Sequence, residues 1–185
     1  MGSAHLYFPG DRLSAAELTA ACLDGHLVPV GEAYMPADAV ETPALRAGSI
    51  ARLLAGTLAA TGLSAAWIHG ATDGPPARHR VQRVSTRRLH HVIDRRLEYH
   101  DTPIAAAQLI LIGETWVTTP ARTVADLLRS DDTTHIARRV METCMVSASD
   151  ALTALDDAGR LPGKRCARQA LQEWIASAGQ LEVTR

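Results

Sequence analysis

The stretch WVTTPARTVADLLR at 116–129 constrains the fold more than any other part of this chain. A short apolar run ending in Val117 meets Thr118 and Thr119, where a hydroxyl can accept from the free N–H groups of a first helical turn. Pro120 suits the first helical position, because its missing N–H would have had no partner there and its φ is already helical. Val124, Leu127 and Leu128 then recur at helical spacing and give one apolar face. Arg122 and Asp126 stand four apart, which makes them neighbours on the helix, as a surface pair or as a lock on the junction. The pattern predicts a strand that runs directly into a capped helix.

Weaker signals place the other elements. Residues 13–26 read as a helix with Ser14 as its cap, Glu17 at the capping-box spacing and Asp24-Gly25 as its stop. LVPVGEAYMP at 27–36 reads as a small hairpin around Gly31. Residues 37–43 read as a loop and the Ala/Leu-rich 45–60 as a helix. Ser64 is read as the cap of a short helix ending at Gly70, followed by a loop at 72–76. Strands are expected at 79–85, 95–100, 107–112 and 115–118, with Gly113-Glu114 as a tight turn. Helices are expected near 133–146, 149–158 and 165–177, with Pro162-Gly163 between the last two. A helix followed by a hairpin is the wing half of a winged-helix fold.

The formal net charge of −1 conceals a segregation. Residues 78–100 hold seven arginines against Asp94 and Glu98, a net +5. Residues 1–46 hold Arg12 and Arg46 against six carboxylates, a net −4. An acidic front therefore precedes a basic middle. Aromatic residues are only 4% of the chain, which argues against base-stacking platforms and for an aliphatic core. Cys22, Cys144 and Cys166 are odd in number and far apart, so no disulfide framework is expected and a reducing cytoplasm is. No apolar run approaches membrane-spanning length, and no secretory signal is visible.

LSAAWIHG (63–70), the arginine-rich region and WVTTPARTVADLLR occur in an order and spacing that resembles the AbiEi family of antitoxins. The late GRLPGKRCARQAL (159–171) extends the likeness, which spans roughly 60–178, and 13–38 resembles the start of an actinobacterial branch of the family. The resemblance implies a cytoplasmic, repressor-like antitoxin of a type IV toxin–antitoxin system. Its expected partners are operator DNA, bound by an N-terminal winged helix, and a nucleotidyltransferase-like toxin encoded nearby. The fold implied is α/β (α+β): a small mixed or antiparallel sheet flanked by helices, with a truncated winged-helix-like module at 1–60 and an AbiEi-type domain at 61–185. Here the N-terminal module departs from the family's DNA-binding role. Its helix and wing offer no arginine beyond Arg12, whereas affinity for phosphates needs Lys and Arg, and base edges need side chains this helix lacks.

The candidate contact surface is therefore Arg78, Arg80, Arg83, Arg87, Arg88, Arg95 and Arg96, facing nucleic acid or a protein partner. The competing reading is a solvated sheet face whose arginines pair with the chain's own acidic front. His79, His90, His91 and His100 read as exposed polar residues. His90 with Asp94, and Asp131 with His135, have metal-like spacing but lack the third ligand zinc needs, so neither metal nor cofactor is expected. Trp67, Trp116 and Trp174 read as core. No nucleophile, base and oxyanion set assembles, and no catalytic residue is assigned. The expected function is binding, either of nucleic acid or of a docked toxin.

Overall fold

A computed structural model describes residues 5–85, 87–89 and 94–183. Ser14 caps α1 (Ala15–Leu23) with the full capping box: the Glu17 N–H donates to Ser14 Oγ at 3.2 Å and the Ser14 N–H to the Glu17 carboxylate at 2.7 Å. β1 (Leu27–Val30) and β2 (Ala33–Pro36) form the antiparallel hairpin. α2 (Pro43–Leu54) follows, capped by Thr42. It stops six residues before the expected end, because Ala55 adopts a left-handed conformation with φ 48°. The remainder of the expected helix is instead β3 (Leu58–Ala60), buried along its length. Alanine favours helix in isolation, and burial between two strands overrides that preference here.

α3 (Gly62–Ile68) begins after Thr61, so Ser64 is not its cap. The Ser64 hydroxyl lies inside the helix and accepts the Arg80 N–H at 2.9 Å, tying α3 to β4 (His79–Arg83). β5 (Leu97–His100), β6 (Leu109–Ile112) and β7 (Thr115–Thr118) complete a five-stranded mixed sheet in the order β5-β4-β3-β7-β6. The β4–β5 and β3–β7 pairs are parallel, and β3–β4 and β6–β7 antiparallel. α4 (Pro120–Leu127), α5 (Thr134–Cys144), α6 (Ala148–Asp157) and α7 (Lys164–Val183) form the helical part. The fold is thus a mixed sheet flanked by helices. No helix among the described residues is long and apolar enough to cross a membrane.

Strand alternation gives the sheet two unlike faces. One carries Leu58, Ala60, Val81, Leu97 and Val117 into an apolar cluster with Val30, Met35, Ile50 and Trp67. The hairpin therefore shares a core with the sheet, and residue 60, the expected module boundary, ends the sheet's central strand. The opposite face carries Arg80, Gln82, Glu98 and His100 beside a smaller cluster of Ala59, Ile104 and Leu109. A second large core lies among the helices around Val124, Leu128, Val140, Leu155 and Leu171. Trp67 is fully buried, whereas Trp116 and Trp174 are half-buried at cluster margins.

Sheet and helices meet at the β7–α4 junction. Thr119 caps α4 by accepting the Arg122 N–H at 3.3 Å, with Pro120 in the first turn as expected. The Thr118 and Thr123 hydroxyls bond each other at 2.8 Å. Arg122 and Asp126 are 2% and 6% exposed, so they are no surface pair. Arg122 Nε donates to Asp126 Oδ2 at 2.9 Å, and Arg122 also donates to the Gln108 side-chain oxygen. Gln108 Nε2 in turn donates to Ala154 O on α6 at 2.6 Å, and Arg129 donates to Asp126 at 3.2 Å and to Pro162 O at 2.7 Å. The spacing was legible and the burial was not, because tertiary packing sets it.

Removing one member of a buried ion pair strands the other's charge away from water. Asp126→Ala is therefore expected to cost about 3–5 kcal/mol, read as a lowered urea midpoint with an unchanged slope. A change below about 1 kcal/mol, the value of an exposed pair, would show that the pair does not organise the junction.

Two buried histidines make stability depend on pH. His69 Nε2 donates to Thr118 O at 2.8 Å, and His79 packs beside the Trp67 ring, with Nδ1 3.4 Å from Ser64 Oγ. Burial pushes both below the ordinary value of 6.5. The unfolded chain takes up these protons near that value and the folded chain resists them, so stability is lost as pH falls through 6.5. The expected loss between pH 6.5 and 5 is up to about 1.4 kcal/mol per pH unit for each histidine. His69→Gln keeps a donor and removes a proton site, so a flatter profile is expected; an unchanged profile would refute the assignment.

Candidate functional site

The structure places the seven arginines of 78–96 along the β4–β5 edge of the sheet, because β5 is an edge strand whose partner is β4. The parallel register sets Arg78, Arg95 and Arg96 at the start of that pair and Arg87 and Arg88 beyond its other end. Arg80 and Arg83 lie on β4, Arg78 just before it, Arg87 and Arg88 beyond it, and Arg95 and Arg96 at the entry to β5. The sheet divides them by alternation. Arg80 points to the polar face, where its parallel partner across β5 is Glu98. Arg83, two residues after Val81, leaves on the other side and is nearly buried.

Much of this positive charge is answered within the molecule. Arg80 pairs with Glu98 at 3.1 Å, and Asp101 takes Arg83 at 2.8 Å and Arg88 at 3.3 Å. Arg96 pairs with Asp94 and with Glu32, both at 2.7 Å. Glu32 lies in the hairpin, so the acidic front does meet the basic middle at this point. Arg78 donates to the Leu97 carbonyl. The carboxylates register these contacts. Hydrogen bonds from the Arg96 side chain and backbone hold Asp94 at about 2. Glu98 is lowered first by its bond from His100 and then by Arg80, and Asp101 first by the Tyr99 hydroxyl and then by Arg83 and Arg88. Arg87 and Arg95 are exposed and make no ion pair among the described residues. The Arg88 side chain remains 76% exposed despite its partner.

The expected histidine surface changes in composition. His79 is buried rather than exposed, since it sits on the strand face that packs against Trp67. His100 is half-buried, with Nε2 2.9 Å from Glu98 and 3.3 Å from Arg80 Nε. His90 and His91 lie outside the described residues, as therefore does the His90–Asp94 spacing. Asp131 opens a 3₁₀ turn ahead of α5, and its side chain is likewise outside them.

The polar face of β4 and β5 also forms the floor of a cleft of about 120 Å3. Arg80 and Gln82 from β4, His100 from β5, Asp126 from the end of α4, Arg129 just past it, and Arg160 from the α6–α7 loop line it. Gly62 at the start of α3 lets Arg80 lie close: its φ is +51°, and a Cβ there would stand 3.0 Å from Arg80 Cδ. Gly163 (φ +73°) does the same for the loop, where a Cβ would stand 2.7 Å from the Arg129 carbonyl. Arg129 and Arg160 are absent from the arginines singled out in the sequence. Nothing local marks them, because they join Arg80 only through tertiary packing. Such an arrangement can bind an anion by charge and directed N–H groups.

No family model matches the chain, and no curated protein matches it. Among solved structures, it is similar to the crystal structure of the Rv2827c protein from Mycobacterium tuberculosis, with 17% identity and a TM-score of 0.47. That alignment covers 88% of this chain and 65% of the Rv2827c chain.

Proposed function

We propose that this protein is a non-catalytic, AbiEi-antitoxin-like regulator of the cytoplasm that acts by binding nucleic acid through the arginine-bearing edge of its sheet. The observation that carries this reading is the spread of seven arginines along β4, β5 and their flanks, with Arg87, Arg88 and Arg95 still open to solvent. Phosphate contacts of this kind supply affinity through counterion release and need no groove-filling helix. Operator DNA is the expected ligand.

A second reading is favoured by the internal pairing of Arg80, Arg83, Arg88 and Arg96. Neutralised arginines contribute little to a polyanion interface, and a protein partner needs fewer free charges. On this reading the same edge docks a nucleotidyltransferase-like toxin without contacting DNA.

The two separate by salt dependence. With three open arginines, the plot of log affinity against log salt for upstream DNA is expected to have a slope of about −3. The Arg87→Glu, Arg95→Glu double variant should reduce its magnitude by roughly 2. No binding at low salt would remove the nucleic-acid reading. Co-purification with a neighbouring nucleotidyltransferase-like protein, abolished by charge reversal at Arg87 and Arg88, would then carry the docking reading.

A further inference from the structure

We infer that the cleft between β4, β5 and the α6–α7 loop is a binding site for a single small tetrahedral oxyanion that carries a proton, hydrogenphosphate. Three observations converge on this ligand. The first is charge. Arg80, Arg129 and Arg160 line the cleft; Glu98 answers Arg80, and Asp126 is shared by Arg129 and the buried Arg122, so the cations there outnumber the carboxylates. Arg160 has no carboxylate partner among the described residues, which leaves its N–H groups available to a ligand. The second is size. About 120 Å3 is well below the ~300 Å3 at which drug-sized ligand sites begin, and a compact anion fits where a nucleobase with its sugar does not.

The third is a buried acceptor with no donor. Gln82 is 7% exposed and lines the cleft, and its Oε1 has no hydrogen-bond partner among the described residues. Leaving such an oxygen unpaired costs free energy, so a ligand that donates to it is favoured. The arginines favour an anion, and a small turn of the Gln82 amide from its buried position toward the cleft would let an O–H of that anion donate to Oε1. Hydrogenphosphate has both at neutral pH. Sulfate has the charge and the shape but no proton. The site thus selects phosphate over sulfate, with the arginines supplying attraction and Gln82 reading the protonated oxygen.

The site is independent of the nucleic-acid reading, which rests on Arg87, Arg88 and Arg95, and either can fail alone. Thermal unfolding of the full chain in sodium phosphate, sodium sulfate and sodium chloride at matched ionic strength tests it. At ten times its Kd, phosphate is expected to raise Tm by roughly 3–6 °C over chloride, with a smaller rise in sulfate. Arg160→Glu, at an exposed loop position, should abolish the phosphate response without changing Tm in chloride. Gln82→Met should make phosphate and sulfate equivalent. A nucleoside 5′-monophosphate, whose phosphate is largely deprotonated at neutral pH and whose sugar and base exceed the cleft, is expected to raise Tm less than inorganic phosphate; an equal or larger rise would overturn the inference. Equal effects of phosphate and chloride, equal effects of phosphate and sulfate on the unaltered chain, or a phosphate response that survives Arg160→Glu would each overturn the inference.

Discussion

The buried pair of Arg122 and Asp126 is the contact on which the rest of the architecture turns. Two opposite charges sit on consecutive turns of α4, where bulk water cannot solvate them, so each depends on neighbours for its remaining hydrogen bonds. Those neighbours come from separate parts of the chain. Gln108 stands at the entry to β6, Arg129 just past α4, and Gln108 and Arg129 reach onward to the carbonyls of Ala154 and Pro162. A helix-internal pair thereby fixes the distance between the sheet and α6 and the position of the α6–α7 loop. Hydrophobic burial supplies the bulk of the driving force in the two large cores. It has no direction, however, and the directional contacts at the junction set how one core sits against the other.

Local chemistry was well expressed in the sequence wherever a residue acts on its own few neighbours. The Ser14–Glu17 capping box, the hairpin at 27–36, and the Thr119–Pro120 start of α4 all occur where their spacing placed them. The mixed sheet with flanking helices followed from the same signals. Legibility ended where a residue's state is set by distant parts of the chain. Ala59 and Ala60 look helical in isolation and lie in a central strand. Ser64 looks like a cap, yet its hydroxyl is spent on the backbone of a strand 16 residues later. His79 looks exposed in a stretch of seven arginines, and alternation turns it inward. Arg129 and Arg160 carry no local mark at all.

The charge segregation shows the same division. Counting charges along the sequence correctly locates an acidic front and a basic middle, but it cannot count how many arginines remain open once the chain folds. Glu32, Asp94, Glu98 and Asp101 each meet an arginine of the cluster, and Glu98 and Asp101 stand within two residues of β5's own end or on it. The exposed pairs add little stability, since solvent screens them and the side chains lose freedom. Their effect is on what is left over. They hold Arg80, Arg83 and Arg96 in fixed places and leave Arg87 and Arg95 without an ion pair among the described residues.

Two sets of guanidinium groups result, and their surroundings suit them to different ligands. Arg87, Arg88 and Arg95 project from loops into solvent, where screening is strong and orientation is loose. Such groups favour a long polyanion that offers many equivalent phosphates, or a broad acidic protein surface. Arg80, Arg129 and Arg160 converge on a small hollow whose walls are held by the junction network and by close glycine contacts at residues 62 and 163. Fixed donors in a confined, partly desolvated space favour one small anion, because the cost of orienting them has already been met by folding. The same network that seats α4 against the sheet also holds Arg129 at the cleft, so the geometry of that hollow depends on the fold's principal ion pair. Loop arginines lack this support, and a change at Asp126 would therefore alter the hollow more than the exposed edge.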